Sequence, residues 1–285
     1  MSEWNPVQAG VAGTISVSGL TVNRLGFGAM RITGDGIWGQ PADRDEAKAV
    51  LRRAIELGVN FIDTADSYGP HVSEELIRET LYPYPDDLVI ATKGGLERTG
   101  PGRWPVNGRP EHLIEACEGS LRRLKLEQIP LYQFHRPDPA VPLEDSIGAL
   151  VTLKEQGKIR HIGLSNVSED QVRSAQRRTP IVSIQNRYNV EDRGSESLVD
   201  LCEQERMVFL PWAPIQDVSD NQIVGRLARR YGATPRQIVL AWLLARSPSI
   251  LPIPGTATVS HLVDNVAAAA IELTPADVAS LNAAA

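Results

Sequence analysis

At 285 residues, 42% of them hydrophobic and 22% charged, the chain has the composition of an ordinary globular protein and the length of one large α/β barrel. A net charge of −6 argues against general affinity for nucleic-acid phosphates or anionic membranes, and no apolar run is long enough to span a bilayer. The two cysteines, Cys117 and Cys202, form neither a CxxC pair nor a metal spacing, so free thiols in a reducing compartment are expected and a metal site is not.

Residues 1–13 have no basic region leading into an apolar segment, so they read as a loose arm, and a cytoplasmic protein is expected. Residues 14–24 alternate around Ser18-Gly19 and predict a short hairpin, with a first buried strand over 25–30. Residues 43–57 predict an amphipathic helix, N-capped by Asp43 and stopped by Gly58. A second strand over 60–63 ends on Asp63, a helix covers 73–80, and the apolar run 88–93 ends on Lys93. Beyond the Gly/Pro-rich loop 94–109, a helix over 110–124 starts with Pro110 in its first turn. The strand 131–135 ends on His135, the helix 143–156 stops at Gly157, and a strand follows over 159–164. The rhythm continues with helix 168–177, strand 181–185, helix 195–206 and strand 207–212. Helices over 221–231 and 234–246 lead to an eighth strand at 250–253, a closing helix at 258–269 and a tail over 273–285.

Eight strands, each followed by at least one helix, predict an α/β fold, a (β/α)₈ TIM barrel with a short N-terminal hairpin, as one domain over 1–285. A doubly wound sheet is the alternative, but Gly26-Phe27-Gly28-Ala29-Met30-Arg31 does not complete its G-x-G-x-x-G turn. In a barrel the active site forms at the C-terminal strand ends. Those ends carry Met30, Asp63, Lys93, His135, Ser165-Asn166, Gln185, Trp212 and Pro254-Gly255-Thr256. Singly, Asp63 could be a cap, Lys93 a solvated strand end and His135 a core histidine. Together they are richer in ionisable and hydrogen-bonding groups than packing would select.

Asp63, Tyr68, Lys93 and His135 resemble the catalytic tetrad of the aldo-keto reductases, and the phrases around them match: Phe61-Ile62-Asp63-Thr64-Ala65 with Tyr68-Gly69, Thr92-Lys93, Phe134-His135-Arg136-Pro137, Gly163-Leu164-Ser165-Asn166 and Ile253-Pro254-Gly255-Thr256. The resemblance spans about residues 14–273 and is nearest to short bacterial members, some of which reduce pyridoxal. A tyrosine is a poor acid near neutrality unless a cation stabilises its phenolate. Lys93 can supply that charge, Asp63 can keep Lys93 protonated, and His135 can donate to a substrate carbonyl.

The hydride must come from a cofactor, and the resemblance implies NADPH, with NADH as the competing choice. It places Ser165, Asn166 and Gln185 at the nicotinamide carboxamide and Trp212 against its ring. Gly28, Met30, Arg31, Asp63, Ala213 and Ile215 are implied as further cofactor contacts. Pro254-Gly255-Thr256 before a helix N-terminus would make an anion site, with Thr256, His261, Asp264 and Asn265 near the adenosine. Members that grip the 2′-phosphate often use Lys or Arg in this segment. Here neither occurs after Arg246, so weaker phosphate discrimination is expected.

Trp38 and Trp104, in Gly-rich loops, would wall the substrate site with Tyr68 and His135, whereas Trp242 reads as core. Short segments after Trp212 and after the closing helix predict an open pocket for a small carbonyl substrate, in a monomer or weak oligomer. The alternative function is a catalytically weak, cofactor-binding regulatory subunit resembling channel-associated members of the family. A barrel hydrolase or lyase would need paired carboxylates or a metal cluster at the strand ends, and the sequence offers neither.

Overall fold

The computed structural model describes residues 6–216 and 221–283. Ser18 and Gly19 both take positive φ, of 50° and 91°, which is the turn that joins two right-twisted strands. They connect β1 (Thr14–Val17) to β2 (Leu20–Asn23) as an antiparallel hairpin. Its inward residues Val17 and Val22 pack with Phe61, Val89, Leu131, Val208 and Leu210, so the hairpin plugs one end of the sheet that follows.

That sheet has seven parallel strands in sequence order: β3 (Phe27–Gly28), β4 (Phe61–Asp63), β5 (Val89–Gly94), β6 (Ile129–Phe134), β7 (Ile159–Ser165), β8 (Ile181–Gln185) and β9 (Val208–Phe209). Parallel neighbours need crossovers, and helices supply them. They are α1 (Arg44–Glu56), α2 (Val72–Leu81), α3 (Pro110–Leu124), α4 (Leu143–Glu155), α5 (Glu169–Gln176), α6 (Glu196–Glu205), α7 (Gln222–Tyr231) and α8 (Pro235–Arg246). Then come α9 (Val259–Ala267) and α10 (Pro275–Asn282). Local chemistry sets many of the starts: Asp43 accepts from Glu46 N, while Ser168 with Gln171 and Thr234 with Gln237 form reciprocal capping boxes. Gly58, at φ 76°, turns the chain out of α1.

The predicted eighth strand is not a regular strand, yet its segment closes the barrel. On one side Phe209 N donates to Ser249 O and Leu251 N to Phe209 O, both at 2.9 Å. On the other, Gly26 N donates to Pro252 O at 2.9 Å and Gly28 N to Pro254 O at 3.4 Å. Pro252 and Pro254 have no N–H to donate, so the segment accepts from β3 without a full ladder. The approach is close: a Cβ on Gly28 would lie 2.6 Å from Ile253 O. The fold is a (β/α)₈ barrel with an N-terminal hairpin.

Several boundaries differ from expectation. The first strand is only Phe27–Gly28 because the chain turns into a 3₁₀ helix at Ala29–Ile32, and the seventh is only Val208–Phe209. Of the expected loose arm, residues 1–5 lie outside the described residues, whereas Ala9 is buried and its N–H donates to Leu57 O at 2.8 Å. The expected tail contains α10, which buries Leu281 and holds Trp242 Nε1 through Asn282 Oδ1 at 2.8 Å. Trp242 is core, stacked on Tyr188 with ring centroids 5.6 Å apart. Cys117 and Cys202 are buried free thiols, and burial pushes the Cys117 thiol up to about 12. Among the described residues no helix is long and apolar enough to cross a membrane, and no His/Cys/Asp/Glu group could hold a metal ion.

Candidate active site

Neighbouring parallel strands bring the strand-end residues together. Asp63 ends β4 in register with Ala91, so Lys93 projects just beyond it, and Lys93 is itself in register with Gln133. His135 follows β6, and its N–H donates to Gly94 O. Tyr68 comes from the tight turn after β4, where its N–H donates to Ala65 O.

The Lys93 ammonium is fully buried, and each of its three donors has an acceptor. It donates to Asp63 Oδ2 at 2.7 Å, Thr64 O at 2.9 Å and Tyr68 Oη at 3.3 Å. The other Asp63 oxygen accepts from Gln133 Nε2 at 3.0 Å and Gln185 Nε2 at 2.8 Å. A buried carboxylate is thus both paired and hydrogen-bonded, as its burial demands. Burial pulls the Lys93 pKa down, but the charge of Asp63 and the hydrogen bonds to Asp63 and Tyr68 outweigh it, so the net shift is upward and the ammonium persists.

Tyr68 moves upward as well: burial is the largest cause, opposed by Lys93 and reinforced by Asp63. The expected lowering by Lys93 is present but does not dominate, so the phenol keeps its proton at neutrality. Because Lys93 donates to Oη, the phenolic hydrogen remains free to point elsewhere. His135 is pushed well below the ordinary histidine value by burial, then by Lys93 and Arg136, and is neutral at pH 7. Its Nδ1 is buried without a partner, and its ring meets the Tyr68 ring edge-on at 6.0 Å.

A cavity of about 570 Å³ opens beside this cluster, within the usual size of a small-molecule site. Its lining includes Gly28, Met30, Asp63, Tyr68 and Gln185 at the strand ends, together with Trp212, Ala213 and Ile215 from the segment after β9. Arg31, Gly255, Thr256, His261 and Asn265 line the outer part. Trp212 Nε1 is buried without a partner among the described residues, so the lining presents a flat ring and an indole donor. Ser165, Asn166, Pro254 and Asp264 are not in the lining. Ser165 Oγ donates to Gln185 O at 2.8 Å, and Asn166 Nδ2 donates to His135 O and Ser165 Oγ, both at 3.0 Å. The donors of Ser165, Asn166 and Gln185 are therefore engaged internally. The side-chain oxygens of Asn166 (Oδ1) and Gln185 (Oε1) have no bond with the described residues, which leaves acceptors for a carboxamide NH₂. Trp38, Trp104 and His135, expected at the substrate wall, are not in this lining either; Trp104 stands 6.3 Å edge-on from the Tyr68 ring, and Trp38 pairs with Gly69, the residue after Tyr68, in a parallel bridge.

The outer end departs from the sequence reading. The N-terminus of α9 is not a bare anion cradle, because Val259 N donates to Glu46 Oε1 at 2.8 Å and Thr258 N to Thr256 Oγ1 at 3.2 Å. Positive charge comes from elsewhere. Arg236, in the first turn of α8, lines the cavity with His261 and Asn265 and makes no hydrogen bond or ion pair with the described residues. Arg236 precedes the 254–265 segment in which a basic residue was expected, although Thr234-Pro235 marks the helix start that brings it to the cavity. Gln133 was also missed; its signal was a polar residue in an otherwise apolar strand. Flat ring, free amide acceptors and a basic rim together suit a nicotinamide nucleotide.

The sequence profile of the Aldo/keto reductase family matches residues 24–219 and 216–285. An uncharacterized oxidoreductase of Schizosaccharomyces pombe is 48% identical over 270 residues, 94% of this chain and 88% of that protein. Pyridoxine 4-dehydrogenase of Escherichia coli is 42% identical over 268 residues, covering 91% of this chain and 94% of its own length. The crystal structure of an aldo/keto reductase from Klebsiella pneumoniae in complex with NADP and acetate superposes with a TM-score of 0.78 at 28% identity, over 92% of this chain and 91% of that one.

Proposed function

The chain belongs to the aldo/keto reductase family and is an NAD(P)H-dependent oxidoreductase of the carbonyl-reducing class, and from that premise we propose that it reduces aromatic aldehydes, pyridoxal among them, to alcohols with NADPH. The observation that carries this reading is the buried chain Asp63–Lys93–Tyr68, with the phenolic hydrogen free and the cavity beside it. Pyridoxal is favoured because one relative is named a pyridoxine 4-dehydrogenase, and pyridoxal is the aldehyde such a dehydrogenation forms.

A bound NADPH supplies the hydride, which no side chain carries. Trp212 and the side-chain amide oxygen of Gln185 would hold its nicotinamide, with the Asn166 amide oxygen behind the lining as a further acceptor, and Arg31 would face its pyrophosphate and Arg236 its 2′-phosphate. His135, held neutral, donates to the substrate carbonyl and orients it. Tyr68 gives its proton to the oxygen as negative charge develops there, and Lys93 stabilises the phenolate left behind. Asp63 keeps Lys93 charged throughout, while Gln133 and Gln185 fix the carboxylate.

The test is steady-state NADPH oxidation with pyridoxal, 4-nitrobenzaldehyde and aliphatic ketones, repeated with NADH. Turnover of aromatic aldehydes with a higher kcat/KM for NADPH is expected. An inactive protein that still binds NADPH would favour the regulatory alternative, and equal or better kcat/KM with NADH would overturn the cofactor assignment.

A further inference from the structure

The loop after β5 is rich in glycine and proline, yet it sends one side chain across the mouth of the barrel. Arg98 Nη1 donates to Ile37 O at 2.6 Å and Ser67 O at 2.9 Å. Nη2 donates to Gly36 O at 2.9 Å and Gly100 O at 3.3 Å, and Nε to Arg103 O at 3.0 Å. A guanidinium has five N–H donors in one plane, so every donor of Arg98 is satisfied by a backbone carbonyl. These carbonyls come from three loops, those after β3, β4 and β5.

The face of the same guanidinium lies on the indole of Trp104, 3.6 Å from the ring centroid, and its Cζ is 5.6 Å from that of Trp38. Trp104 in turn meets Tyr68 edge-on, and Trp38 pairs with Gly69 in a parallel bridge. The loops meet tightly where Arg98 joins them: a Cβ on Gly36, at φ 65°, would lie 2.8 Å from Pro101 Cβ. With no donor left over, Arg98 is not placed to bind a substrate anion. What it fixes is the position of two indoles, one of them edge-on to the proton donor and the other bridged to the residue that follows it.

We propose that Arg98 is a positioning residue that assembles the Trp38–Trp104 wall and so gives the site its preference for flat aromatic aldehydes over short aliphatic ones. This rests on the carbonyl-reductase reading above. A lysine at 98 keeps the charge but has three donors on a point and no plane to stack, so Arg98→Lys and Arg98→Ala should behave alike.

The experiment compares wild type with both variants at saturating NADPH, using 4-nitrobenzaldehyde and propanal, alongside amide hydrogen exchange of residues 34–39 and 97–107. The expected result is a KM for 4-nitrobenzaldehyde raised roughly tenfold or more, with kcat within about threefold and propanal kcat/KM little changed. The NADPH Kd should stay within about twofold, and both loops should exchange at least about tenfold faster. Faster exchange with an unchanged KM would reduce Arg98 to a structural clasp and overturn the proposal. Unchanged exchange, or an equal loss for both aldehydes, would overturn it too. If Arg98→Ala does not fold, Arg98→Lys carries the comparison. A wild-type protein that reduces neither aldehyde would defeat the carbonyl-reductase reading itself, whereas an active wild type with unaltered variants would defeat the role of Arg98 alone.

Discussion

Replacing Lys93 with methionine removes an ammonium that is fully buried and leaves Asp63, with 4% of its side chain exposed, without a counter-charge. At 2.7 Å the pair attracts by about 6 kcal/mol for an effective dielectric of 20, and desolvation of both ions offsets much of that. Removing only one partner is the costly case, because the remaining charge stays buried. The expected destabilisation is about 3–5 kcal/mol. Adding Asp63→Asn to the Lys93→Met background removes the orphaned charge while keeping an oxygen for Gln133 and Gln185, so most of that loss should return. Urea unfolding of wild type, both single variants and the double variant measures the coupling. Activity should be lost in every protein lacking Lys93, whatever its stability. A Lys93→Met cost below about 1 kcal/mol, or a double variant no more stable than Lys93→Met, would refute the reasoning.

Other consequences follow from the same geometry. Arg236→Ala should raise the NADPH Kd by about tenfold while the NADH Kd stays within about twofold, and fluorescence titration reads both. No change toward NADPH would remove Arg236 from the phosphate end. Burial, then the charge of Glu74, raises the Asp66 carboxyl to about 8 against Arg123 and Lys93. An unfolded aspartate ionises near 3.8, so this group's contribution to stability is fully present below that value and is lost as pH rises towards 8. Asp66→Asn escapes the loss. Its Tm advantage over wild type should widen from pH 4 to pH 8, and a gap that stays flat across that range would contradict the assignment.

The barrel and the strand-end cluster of Asp63, Tyr68, Lys93 and His135 were legible because each rests on a local signal. An apolar run that ends on Asp63 or Lys93 places a charge where packing would not, and helix ends are marked by the capping side chains of Asp43 and Thr234 and by the backbone freedom of Gly58. Features set by distant partners were not legible. Glu46 fills the N-terminus of α9 from a helix more than 200 residues earlier, and no local pattern announces that. Arg98 looks like an ordinary loop arginine until three loops converge on it. The eighth segment has apolar strand character, but its two prolines leave the β3 side of the closure to bonds that the segment only accepts. The direction of the Tyr68 shift also depends on burial, which outweighs the neighbouring ammonium and could not be weighed from residue types alone.

The central claim is that Tyr68 delivers the proton while Lys93 holds the charge left on it. It is tested most directly by mixing NADPH-loaded Tyr68→Phe with pyridoxal and following a single turnover of the cofactor. The phenyl ring should keep the shape of the site, so NADPH should bind within about twofold of wild type while the rate falls by about 10²–10⁴. A variant that binds NADPH normally and keeps more than about a tenth of the wild-type single-turnover rate would show that the proton comes from another group.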